Sequence, residues 1–235
     1  MRVSLVTTDT THHLYFAWRL AERFGLSGIL LETRRPSFPF ATDHPFEAER
    51  DAYEREVLLA GCSGSYRDFA ETWTVRSAND VDAHDALRGC RADVAIALGP
   101  GRLGPSVLAL SPVALNLHGG NPEQYRGLDS HLWAIYHRDF ANLVVALHHV
   151  TPVLDAGDIV FETQLRPPAG SELYQLRSLT IQAAVDLAAL ALDRLERGTT
   201  LPARSQVSVG RYYSAMPAVL KDGCVAAYRA HVNAG

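Results

Sequence analysis

The sequence predicts an α/β fold, and three observations carry that prediction. Short continuous apolar runs recur, as at Val3–Val6 and Asp93–Leu98, in the manner of strands covered on both faces. Val3–Val6, Leu14–Phe24 and Leu26–Glu32 read strand, helix, strand in about thirty residues, the unit that builds a parallel sheet. Of 235 residues, 47% are hydrophobic and 20% charged, enough apolar matter to bury a core and too much for a disordered chain. The expected architecture is a Rossmann-like, mostly parallel sheet flanked by helices, with a short β-containing C-terminal appendage.

Each element has its own local reason. Leu14, Trp18 and Ala21 share one helical face, and Gly25 supplies a stop. Arg34–Pro45 is a loop rich in Pro and Phe, and Phe46–Leu59 has helical spacing with many charges. Trp73–Val75 is a short strand, and Asp80–Arg88 a helix capped by Asn79 or Asp80. The strand Asp93–Leu98 stops at the breaker Gly99-Pro100-Gly101. Pro105–Leu110 (helix), Val113–His118 (strand), Leu128–Tyr136 (helix), Leu143–His149 and Ile159–Leu165 (strands) and the amphipathic helix Leu173–Arg197 follow. After Gly198 the alternating Val-Ser-Val texture of Thr200–Tyr213 predicts short strands or a hairpin, which places a boundary near residue 200.

Composition narrows the function. A net charge of −4 without a basic stripe argues against a nucleic-acid partner. No run approaches the ~18 apolar residues of a membrane span, and the N-terminal apolar run is too short for a signal peptide. Cys62, Cys90 and Cys224 form no CxxC pair, which leads us to expect reduced thiols and a cytoplasmic protein. Lys221 is the single lysine, so Schiff-base chemistry would rest on one residue. The pairs His12-His13 and His148-His149 are adjacent; on a strand such neighbours point to opposite faces, and no HExxH spacing occurs, so no metal is expected.

The densest polar constellation is Asn116-Leu117-His118-Gly119-Gly120, running on to Tyr125-Arg126-Gly127. It leaves a strand at its carboxyl end, where open α/β sheets bind ligands. Asn116 and His118 are two apart and so share a strand face. An amide donor beside an imidazole can polarise a carbonyl and move a proton. A second loop, Leu154-Asp155-Ala156-Gly157-Asp158-Ile159, also leaves a strand, and Asp155 could stabilise a charged imidazole. Both segments also read as ordinary strand-end turns, and spacing alone does not bring Asp155 to His118.

Taken together, Asn116, His118, Tyr125-Arg126-Gly127, Trp133-Ala134 and Asp155-x-Gly157-x-Ile159 resemble the folate-dependent formyltransferase family over roughly residues 80–165. The resemblance implies transfer of a formyl group from N10-formyltetrahydrofolate to an amine, with Asn116, His118 and Asp155 as catalytic residues. It implies a folate site at Gly99, Pro100, Gly101, Arg102 and Leu103 together with His149, Val150 and Leu154. Thr10, Gly119, Gly120, Tyr125, Arg126 and Gly127 are the expected acceptor-side residues. Residues 1–200 would form the catalytic domain and 201–235 a short extension; a homodimer is compatible with the resemblance and the apolar tail.

Departures from the family pattern narrow the acceptor. The first strand leads into Thr7-Thr8-Asp9-Thr10-Thr11, without the Gly-rich phosphate loop of the purine enzyme, and Asp9 would repel phosphate. About 35 residues follow position 200, without the basic cluster of the tRNA enzyme's C-terminal domain, so initiator tRNA is not the expected acceptor. The Gly119-Gly120 loop is similar to that of stand-alone sugar and small-molecule enzymes. The expected acceptor is therefore a small-metabolite amine, first a nucleotide-linked amino sugar. The alternatives are an amine or hydrazine in natural-product assembly, or a non-catalytic folate-binding paralogue. Tyr212, Tyr213, Trp73 and Phe38–Phe40 are the aromatic residues that could stack on a nucleotide base.

Overall fold

The computed structural model describes residues 1–234. The chain runs β1 (Val3–Thr7), α1 (Thr11–Phe24), β2 (Gly28–Glu32), α2 (Pro45–Tyr53), α3 (Tyr66–Phe69), β3 (Thr72–Val75), α4 (Val81–Cys90), β4 (Val94–Leu98), α5 (Pro105–Leu108) and β5 (Val113–His118). It continues through β6 (Tyr125–Gly127), α6 (Ser130–Tyr136), β7 (Val144–His149), β8 (Ile159–Gln164), α7 (Leu176–Glu196), β9 (Arg211–Tyr213) and α8 (Ala218–Ala234). A π-helical turn, Glu54–Leu58, extends α2.

Seven strands form one sheet in the order β3-β2-β1-β4-β5-β7-β8. The first five are parallel; β7 runs antiparallel to β5, and β8 antiparallel to β7. β1 and β2 are buried along their whole length, which explains their unbroken apolar runs. Helices cover both faces. Phe16, Leu20, Ile181 and Leu192 of α1 and α7 pack with Leu5 and Ile96 on one face, while Ala83 and Leu87 of α4 meet Val6 and Leu30 on the other. Each fully buried Leu or Ile contributes ~2 kcal/mol relative to exposure. The strand order reverses between β1 and β4, which opens a crevice at their carboxyl ends, the place where open α/β sheets take ligands.

Of the short strands or hairpin expected over Thr200–Tyr213, a short strand forms: β9 pairs in parallel with β6, eighty-odd positions earlier in the chain, while Arg204 makes a single bridge to Ile159. The last seventeen residues described form a helix, α8, which the sequence reading did not assign. It buries Cys224 and Tyr228 in the same core as α6, and the Tyr228 hydroxyl meets Ser171 Oγ at 3.0 Å. Lys221 is buried against Glu47 at 3.1 Å, a structural ion pair. All three cysteines are free. Among the described residues no helix is long and apolar enough to cross a membrane.

Candidate active site

The β5–β7 register builds the site. Asn116 lies directly opposite His148, so both project from adjoining strands to one face. The β7–β8 ladder is irregular between Leu147 and His148, the kind of break that re-aims a strand end beside a site. Just beyond it, the 150–158 loop carries Asp155 back over β5 in the left-handed region, at φ 52°. An Asp tolerates that conformation better than most residues, but the backbone is still strained and needs its surroundings to hold it. Those surroundings are specific. Asp155 Oδ2 accepts the Gly127 N–H at 2.9 Å, and the Arg126 guanidinium donates to the Leu154 carbonyl. Gln206 of the tail donates to the carbonyls of Asp155 and Gly157 at 2.8 and 2.9 Å.

Asp155 Oδ1 stands 3.7 Å from His118 Nδ1 and 3.8 Å from His148 Nε2. Backbone carbonyls set both ring tautomers, because a carbonyl can only accept. His118 Nε2 lies 2.7 Å from the Tyr125 carbonyl, so Nε2 carries a proton and Nδ1 is the nitrogen that faces Asp155. His148 Nδ1 donates to its neighbour's carbonyl, that of His149, at 2.9 Å. Its Nε2 then accepts from Asn116 Nδ2 at 3.0 Å, which fixes the amide with one N–H to spare. Burial alone would raise the Asp155 carboxyl. The facing His118 and His148 rings and the Gly127 N–H outweigh it, and the group is held well below the usual carboxylate range. Asp155 is therefore an ionised acceptor at neutral pH, suited to stabilising charge that develops on His118.

Two cavities meet at this cluster, sharing His118, Gly99, Leu117, Gly127 and Leu128. The larger, about 550 Å³, lies over the β1–β4 crevice and contains Asn116, His148 and Asp155. Gly99, Pro100, Gly101, Arg102, Leu103, Val150 and Leu154 line it, as does Tyr212. The smaller, about 310 Å³, lies among α1, α2, α6 and α7, with Phe46, Leu132, Leu176 and Ile181 as apolar walls and Gly119 at its edge. His12 also lines it; its buried Nδ1 makes no hydrogen bond and stands 3.8 Å from Glu54 Oε2.

The remaining expected residues sit outside both cavities. Tyr125 offers its carbonyl to His118 and its hydroxyl to Asp139, and Arg126 braces the 150–155 loop. Gly120 packs against Ser130, and His149 contributes its carbonyl to His148. Thr10 flanks α1, but its hydroxyl caps nothing. Among the aromatics, Tyr213 stacks on Tyr125 and packs tilted against Trp133, and Phe38 stacks on Phe40. His148 and His12 are site residues that the sequence reading did not select. His148 could have been found from its place in the strand, opposite Asn116; His12 had no local signal.

Two other histidines beside the smaller cavity are structural. Burial lowers His13 to about 3, against an opposing hydrogen bond that the ring donates to the Thr8 carbonyl, and lowers His131 to about 4, against one donated to the Val144 carbonyl. Both lie below the ~6.5 of an unfolded-chain histidine. Their contribution to stability is complete above pH 6.5 and is lost as pH falls toward the folded values, since the unfolded chain takes up protons first. The urea midpoint should fall steadily from pH 7 to pH 4.5, with His131 accounting for about 3 kcal/mol at most. A His131→Gln variant should show a flatter profile; an unchanged slope would refute the assignment. Among the described residues no group of three or more His, Cys, Asp or Glu could hold a metal ion.

No protein-family model and no curated protein matches the chain. Solved structures do. A 4-N formyltransferase from Francisella tularensis superposes with a TM-score of 0.60 at 13% identity, over 91% of this chain and 76% of that one. The formyltransferase PseJ from Anoxybacillus kamchatkensis, solved with UDP-4,6-dideoxy-4-formamido-L-AltNAc and tetrahydrofolate, gives 0.54 at 15% identity, over 90% and 85%. HypX from Aquifex aeolicus, in complex with tetrahydrofolic acid, gives 0.54 at 17% identity, over 94% of this chain and 31% of that one. The chain therefore has the formyltransferase fold, as the Asn116, His118 and Asp155 series led us to expect.

Proposed function

We propose that the protein is an N-formyltransferase that moves a formyl group from N10-formyltetrahydrofolate to the amine of a small metabolite. The observation that carries this reading is the convergence of Asn116, His118 and Asp155 where two cavities of different character meet. The larger cavity suits a folate. Gly99–Leu103 line it, the N–H groups of Arg102 and Leu103 have no partner among the described residues, and Val150 and Leu154 add apolar cover. The smaller cavity takes the acceptor, whose amine reaches His118 from the α7 side, past a wall that includes His12.

The donor supplies an electrophilic formyl carbon. The spare N–H of Asn116 is placed to hydrogen-bond the formyl oxygen as it gains negative charge, and a protonated Nδ1 of His118 adds a second, charged donor. Each such donor is typically worth ~3 kcal/mol at the transition state. Asp155 is too weak a base to strip an amine by itself; it stabilises charge on His118, which carries protons between the attacking amine and the leaving folate nitrogen. An amino sugar is the first candidate acceptor, because PseJ, which shares the fold, was solved with a nucleotide-linked formamido sugar.

Calorimetric titration with 5-formyltetrahydrofolate, then with a panel of nucleotide-linked amino sugars in its presence, tests the reading. Micromolar folate binding followed by one responding sugar is the expected result. Absence of folate binding would overturn it.

A further inference from the structure

A segment beyond residue 200 lies across the two loops that carry the catalytic cluster. Arg204 forms an antiparallel bridge with Ile159, just past the Asp155 loop. Its guanidinium donates to both oxygens of Glu123, at 3.0 Å each, in the loop that follows His118. The Val207 N–H donates to the same carboxylate at 2.6 Å, and Ser208 Oγ to the Glu123 carbonyl at 2.9 Å. The stretch from Arg204 to Ser208 is thereby fastened at both ends.

Between those anchors one side chain turns inward. From Pro202 to Val209 every residue is exposed except Gln206, which is half-buried. Its Nε2 reaches the carbonyls of Asp155 and Gly157, on either side of Ala156. Two carbonyls facing one end of an amide are met only by its NH2, so both N–H groups of Gln206 are spent on this loop. Gln206 lines neither cavity, so it touches no group that reacts.

The loop needs such a hold. Left-handed backbone at Asp155 persists only where its surroundings over-determine it. The Asp155 side chain has one direct anchor, the Gly127 N–H on Oδ2. Oδ1 faces His118 and His148 at 3.7 and 3.8 Å, longer than a hydrogen bond, so neither imidazole fixes it in place. Where Oδ1 stands therefore depends on where the backbone of residues 155–157 is held.

We propose that Gln206 is a positioning residue of the transfer reaction, acting through Asp155, and that the segment after residue 200 is thereby part of the catalytic unit. The proposal rests on the transferase reading and fails separately from it. Misplacing a group by ~1 Å can cost ~10²-fold in rate. Gln206 shares its task with the Gly127 N–H and with Arg126, which donates to the Leu154 carbonyl, so its own share is smaller.

Two substitutions remove the clamp. Gln206→Ala deletes the donors; Gln206→Glu keeps the length and shape but sets a carboxylate oxygen against two carbonyls. Each should lower kcat about tenfold and leave KM for the folate donor within about threefold, because neither cavity loses a wall. Residues that act as a unit are non-additive, so in an Asp155→Asn background single-turnover transfer should change less than about twofold when Gln206→Ala is added. Hydrogen exchange at the Gly127 N–H reads the grip on Asp155 without any turnover; it should quicken about tenfold in Gln206→Ala, with protection of β1 and β4 unchanged. Val207→Ser, altered at an exposed neighbour, should keep the parental kcat and the parental exchange rate.

A loss of kcat equal in both backgrounds would mark a general structural role and overturn the proposal. So would an unchanged Gly127 exchange rate, or a folded Gln206→Glu variant with parental kcat. Any of these in a protein that transfers formyl groups leaves the transferase reading intact. Absence of transfer by the parent protein would overturn the reading and the proposal together.

Discussion

A His118→Ala variant should lose about 10³-fold or more in formyl transfer while binding 5-formyltetrahydrofolate within about threefold of the parent. The imidazole is the one side chain of the catalytic cluster that touches both cavities, so no other group replaces it between donor and acceptor. Its loss removes a charged donor from the developing oxyanion, an effect of 10²–10³ by itself. It also removes the proton carrier, worth typically 10²–10⁴, although the two contributions do not simply multiply. On the proposed function the folate should stay, because its proposed cradle is the cavity wall of Gly99–Leu103 with Val150 and Leu154, and not the ring. The variant also orphans the Tyr125 carbonyl, a cost of ~1–3 kcal/mol in stability that a thermal melt would read separately. Single-turnover transfer with a bound folate is the deciding measurement. Near-normal turnover in a folded variant would remove His118 from the mechanism.

The second large effect belongs to a residue with no chemistry of its own. Gly157→Ala should cut transfer by about 10²-fold or more and lower stability by ~1–3 kcal/mol. A methyl group at Gly157 would sit 1.7 Å from the His149 carbonyl oxygen, closer than any contact can be, and that atom is backbone. Either the 150–158 loop lifts away or the end of β7 moves. In the first case Asp155 leaves His118 and His148; in the second, the carbonyl that sets the His148 tautomer leaves Nδ1. Both disturb the same cluster. Binding of 5-formyltetrahydrofolate should weaken too, since Val150 and Leu154 ride on the loop. A variant with parental kcat would show that the loop has room the structure denies it.

The spacing of Asp155 and Gly157 thus has a geometric reason. Asp155 turns the chain with a left-handed residue, and two positions later the chain passes so close to β7 that only a hydrogen fits. Gly127 does the complementary service on the other side. At φ 90°, with a Cβ that would lie 2.3 Å from the Tyr213 carbonyl, it lets β6 pass close beneath β9 while its N–H holds Asp155.

Much of this was legible along the chain. The buried runs of β1, β2, β4 and β7 announced themselves because strands covered on both faces are nearly continuously apolar, and α1 and α7 because their apolar residues recur at helical spacing. Asn116 and His118 fell on one strand face by the two-residue period alone. Short elements that depend on distant partners were hidden. β9 is three residues long and exists by pairing with β6, and α8 carries Gly223 and Asp222 in its interior and is ordered by Cys224 and Tyr228 docking against the core formed by earlier elements.

The sequence by itself determined the order of the principal strands and helices from β1 to α7, the face shared by Asn116 and His118, and the turn chemistry around Asp155 and Gly157. Those are local properties, set by side-chain period and backbone sterics over a few residues. Only the tertiary structure decided that β7 runs antiparallel to β5, that His148 thereby faces Asn116, and that the loop beyond β7 brings Asp155 within 4 Å of two imidazoles. Register between strands is chosen by packing across the whole sheet, and a one-residue slip would have sent His148 to the opposite face.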